Sequence, residues 1–114
     1  MLRLKPGVKL HDLSPQLCIA IVVAEGLYAQ HGEDCVVTSC NDSTHRVNSL
    51  HAIGHACDLR VHNLHMLSPD LEEFALDLRE ALGGSESQFD VVLEGLETPS
   101  AHLHIEYQPH YAAR

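Results

Sequence analysis

Two short clusters in this chain carry residues able to bind a metal ion or to move a proton. The first is Ser49-Leu50-His51-Ala52-Ile53-Gly54-His55-Ala56-Cys57-Asp58, and the second is His102-Leu103-His104-Ile105-Glu106. Asp58 falls inside a strand-like run, where period-two alternation puts it with Ala56 on one face and Cys57 and Leu59 on the other. The same alternation puts His102, His104 and Glu106 on one face of the second cluster. A charged aspartate on a short strand needs a partner, and a metal ion is a strong one. If the two strands pair, His51, Asp58 and His104 can converge as three ligands with an open position. That is the pattern of a catalytic zinc site, whereas structural sites are more often closed by four ligands, thiolates among them.

These residues need a scaffold, and the rest of the chain supplies one. Ser14-Pro15 is a helix start and Gly32 a stop, so residues 15–31 are expected to form a helix, buried on most sides in its first half. Cys35 to Ser39 reads as a β-branched strand, residues 40–50 as a polar loop, and Ala56 to Val61 as a second strand. Ser68-Pro69 repeats the helix-start signal, and Gly83-Gly84 ends a helix whose apolar face is Leu71, Phe74, Ala75, Leu78 and Leu82. Phe89 to Leu93 and His102 to Tyr107 complete a set of about four strands. Two main helices and an antiparallel sheet predict a small α+β fold. Residues 1–114 would make one domain, with a core over about 10–109.

Composition narrows the function. The 114 residues include seven Lys and Arg against sixteen Asp and Glu, a net charge of -9. That balance argues against nucleic acid as a partner and against a basic membrane-binding surface. The longest apolar run, Leu17 to Ala24, is far too short for a membrane span. It is followed at once by Glu25 and has no cleavage site, so it is read as a helix of the domain rather than a signal peptide. The cysteines at 18, 35, 40 and 57 form no Cys-x-x-Cys pair and are expected to be free, mostly buried thiols. Of the ten histidines, His31, His55, His62 and His65 fit no ligand pattern and are expected at the solvated surface. His45 is open to two roles, contact with a substrate carboxylate or the capping of a turn. Arg60 is expected to face away from Asp58 in an ion pair. The acidic run Asp70, Glu72, Glu73, Asp77 and Glu80 is expected on the exposed side of the second helix.

The pattern Ser49-x-His51-x-x-Gly54-x-Ala56-x-Asp58, with His102-x-His104 far downstream, resembles the zinc D-Ala-D-Ala carboxypeptidase and L-alanyl-D-glutamate endopeptidase family. Thr38-Ser39, His45, Asp58-Leu59-Arg60 and Asp90 to Glu94 are similar to its short phage-type members, so the likeness spans about residues 10–109. It implies a hedgehog-like fold, zinc as cofactor and the peptidoglycan stem peptide as substrate. His51, Asp58 and His104 would bind the metal, His102 would stabilise the oxyanion, and Ser49 would hold the entering loop. A product of the cytoplasm without a signal peptide would then act at the cell wall after release or delivery. One departure stands out: the family places an acidic general base three residues before the last zinc histidine, where this chain has Ala101. Glu97, from a longer loop, is the favoured substitute and Glu106 the other. The resemblance equally allows a zinc-stabilised binding or structural module that has lost its base.

Overall fold

The computed structural model describes residues 1–10, 12–40 and 55–108. Strand β1 (Leu2–Leu4) leads to helix α1 (Pro15–Gln30) and strands β2 (Cys35–Ser39) and β3 (Ala56–Arg60). Helix α2 (Ser68–Ala81) and strands β4 (Phe89–Glu94) and β5 (His102–Tyr107) follow, with single 3-10 turns at His62–Leu64 and Gly84–Glu86. The fold is α+β: five strands in the order β1-β2-β3-β5-β4, antiparallel except for the β1–β2 pair. Four of the strands and both helices stand where hydrophobic periodicity puts them. Strand β1 has no such signal, because its Leu-Arg-Leu is exposed throughout and is held by main-chain pairing to β2.

Both helices cover one side of the sheet. Val37, Leu59, Leu103, Cys57, Ile105 and Val91 point into a core shared with Leu17, Ala20, Ile21, Ala24 and Tyr28 of α1. Leu71, Phe74, Ala75 and Leu78 of α2 complete it, with Tyr28 and Phe74 meeting edge to face at 5.0 Å. Helix α1 begins as expected, Ser14 Oγ accepting from Leu17 N at 3.2 Å ahead of Pro15. It is not buried on most sides, however, since Ile19 and Val22 are 60% and 67% exposed. A helix laid on one face of a sheet buries a single stripe, whatever its composition. Helix α2 starts one residue early, with Leu67 at the cap position, and the Ser68 hydroxyl donates to Glu97 Oε1 instead of capping. Its five acidic residues, Asp70, Glu72, Glu73, Asp77 and Glu80, are all exposed.

All four cysteines are free, three of them buried. Burial pushes the Cys35 thiol to about 12 and Cys57 well above its usual range, so both are protonated core side chains at neutral pH. No helix among the described residues is long and apolar enough to cross a membrane.

Candidate metal centre

The side of the sheet opposite α1 and α2 carries the chemistry, because the strand register brings its polar side chains into one patch. Asp58 lies opposite His104 across β3–β5, Arg60 opposite His102, and Ala56 opposite Glu106. On the other side of β5, Glu94 lies opposite His102 and Asp90 opposite Glu106. Directly opposed residues share a face, so Asp58, Arg60, His102, His104, Glu106, Glu94 and Asp90 all project from the same side. Beside Asp58 the β2–β3 register slips between Val37 and Ser39, and Thr38 Oγ1 donates to Asp58 O at 3.4 Å. A bulge at this position bends β2 and re-aims the strand end next to the aspartate.

Asp58, Glu94 and His102 each offer one donor atom within 4.8 Å of the others. His102 Nδ1–H donates to Ser100 O at 2.8 Å, which turns Nε2 toward Glu94 Oε1 at 2.9 Å and Asp58 Oδ1 at 3.8 Å. Locking one ring nitrogen to a main-chain carbonyl is how proteins orient an imidazole toward a cation. Donor atoms on a tetrahedral zinc ion lie about 3.3 Å apart. These separations bracket that value, and nitrogen with carboxylate oxygen is a donor set zinc accepts, so the residues fit a divalent cation.

His104 stands beside this group and is gripped from both ends. Its Nδ1–H donates to Asp58 Oδ1 at 2.8 Å and its Nε2–H to Glu106 Oε1 at 2.6 Å. The Asp58 hydrogen bond is the chief cause that raises the His104 pKa to about 9; burial opposes it and Glu106 adds to it. For His102, burial is the largest influence and pulls downward. The Ser100 carbonyl and the Asp58 and Glu94 carboxylates together outweigh it, so its pKa is also raised.

The structure therefore brings together Asp58, His102 and His104 of the residues singled out in the sequence. His51, His45 and Ser49 lie outside the described residues. Glu97 is not in the cluster: it has a left-handed backbone (φ 66°), and its exposed carboxylate accepts from Ser68 Oγ at 3.2 Å. Glu106, the other candidate, touches His104. Glu94 is the residue that sequence reading passed over. Its signal was present, since the antiparallel register of β4 and β5 pairs it with His102, but register is not written in the spacing alone. Arg60 corrects a second expectation. Two residues beyond Asp58 it shares that residue's face, as strand alternation requires, and it forms no ion pair among the described residues. His55 is half-buried against Tyr107 rather than solvated, the ring centres 5.5 Å apart, whereas His31, His62 and His65 are exposed.

A cleft of about 260 Å³ opens onto the cluster, lined by Lys5, Thr38, Asp58, Arg60, His62 and His102 with the Pro99–Ala101 segment. A carboxylate and an imidazole on the wall of a cleft suit a cation that must also meet a ligand. Comparison with known proteins adds no relative: no family model, no curated protein and no solved structure matches the chain.

Proposed function

We propose that this chain is a zinc-dependent hydrolase that cuts a peptide bond in peptidoglycan stem peptides. The observation that carries the metal is the meeting of Asp58, Glu94 and His102 at one point of the sheet, with His104 bonded to the same aspartate. The substrate class comes from the Ser49-to-Asp58 and His102-x-His104 resemblance. Asp58 is common to both ligand sets, with His51 and His104 as its partners in the resemblance. Zinc would supply Lewis acidity toward the scissile carbonyl and lower the pKa of water. Around it, Glu106 orients His104, and Ser100 O orients His102 so that Nε2 faces Glu94 and Asp58, from where it would stabilise the oxyanion. Glu94 is the carboxylate nearest His102 and takes the role of proton acceptor left open by Ala101; Glu97, held to Ser68, is the alternative from the longer loop.

Elemental analysis and chelator competition test the metal, with one tight zinc per chain expected. Loss of zinc in His104→Ala with retention in His102→Ala supports the His51, Asp58, His104 set. The reverse result moves the ion to Asp58, Glu94 and His102. Release of new amino groups from purified peptidoglycan tests the hydrolase. A second reading, a zinc-stabilised module without catalysis, is favoured by Ala101, which presents a methyl on the cleft wall where a base is expected. Full zinc occupancy with no cleavage would decide for it.

A further inference from the structure

The cleft lined by Asp58 and His102 carries a second chemistry beside the first. Lys5, just beyond β1, and Arg60, on β3, line it with Asp58 and His102. Neither cation has an ion pair or side-chain hydrogen bond among the described residues, whereas Arg3 is held by Asp34 at 2.6 Å and Arg79 by the Val91 carbonyl. A guanidinium and an ammonium without such partners among the described residues, in a chain of net charge -9, are an unusual use of scarce positive charge. They stand ready for an anion supplied from outside.

We infer that Lys5 and Arg60 form a carboxylate-binding subsite next to the metal centre, and that it takes its anion only once a divalent cation is in place. This rests on the metal-centre reading above. With the cation absent, the Asp58 and Glu94 carboxylates stand beside the two basic side chains and repel a third carboxylate. A divalent ion held by these acids removes that repulsion and adds positive charge beside Lys5 and Arg60. The two ligands are then thermodynamically linked, each raising the affinity of the other by the same factor. The ligand is a peptide carboxylate lying close to the carbonyl that is attacked. It belongs either to the chain terminus, which means cleavage of the last residue, or to an acidic residue within the chain, which means internal cleavage.

The experiment titrates the full-length chain, zinc-loaded and chelator-treated, by NMR with N-acetyl-D-alanine, with its amide, and with N-acetyl-D-glutamate γ-methylamide. The zinc-loaded protein is expected to prefer a free carboxylate over the amide by about tenfold, the scale of a charge-assisted hydrogen bond. Which acid binds tighter identifies the terminal or the internal source. The preference is expected to vanish in the metal-free protein and in the Lys5→Ala/Arg60→Gln double variant, and to survive in Arg60→Lys; circular dichroism confirms the variants' folding. Equal binding of acids and amide by the zinc-loaded chain, or a preference that persists in the double variant, overturns the inference and leaves the metal centre standing. A chain that binds no zinc overturns both.

Discussion

Replacing Asp58 by Asn tests the electrostatics of the centre before any metal enters. His104 has its pKa raised from 6.5 to about 9, chiefly by its hydrogen bond to Asp58. At 1.36 kcal/mol per pH unit this shift is worth about 3 kcal/mol of folding free energy. Little is lost to solvent screening, because the His104 side chain is 13% exposed and Asp58 17%. A folded-state pKa above the unfolded one stabilises fully below pH 6.5, and the contribution disappears as pH rises through about 9. Urea unfolding of the metal-free protein should therefore show about 2–3 kcal/mol lost from this group between pH 6 and pH 9.5. In Asp58→Asn the loss should shrink to less than half, and the His104 ring resonances should titrate nearer 6.5. The same imidazole must shed its proton to bind zinc, so zinc affinity of the wild type should rise with pH up to about 9. A wild-type His104 that titrates near 6.5, or identically in the two proteins, would refute the proposed hydrogen-bonded pair.

Three further outcomes are expected. Glu94→Gln should weaken zinc binding about 10- to 100-fold if Asp58, Glu94 and His102 hold the ion, without lowering metal-free stability, since Glu94 is 50% exposed yet touches His102; chelator competition measures it, and an unchanged affinity removes Glu94 from the ligand set and leaves it only the role of proton acceptor. Leu103→Ala should cost about 2–5 kcal/mol in denaturant unfolding, because that side chain is wholly buried on the core face of β5 between two centre histidines. Gly83→Ala should cost about 1–3 kcal/mol, because Gly83 has φ 114° and an added Cβ would stand 2.9 Å from Ser87 Cβ. A melting temperature equal to wild type would show that the turn after α2 relaxes freely.

The sequence by itself determined the elements and the sorting of side chains onto faces. Period-two alternation separated Asp58 from Cys57 and Leu59, and His102, His104 and Glu106 from Leu103 and Ile105, and the burial follows that division. Helix signals located α1 and α2 because proline, serine and glycine act locally on the backbone. Strand register, the choice of helix-covered face and the partner of each polar group belonged to the tertiary structure alone. Glu94 and His102 are eight residues apart, and Asp58 and His104 forty-six, yet both pairs are within hydrogen-bond reach. Only the β3–β5–β4 pairing could bring them there. Glu97 and Ser68 met for a similar reason: a loop and a helix start, remote in sequence, are packed side by side. Local physics assigns each residue an orientation, but which distant residue stands opposite it depends on how the strands pair, and the centre is built from those distant pairs.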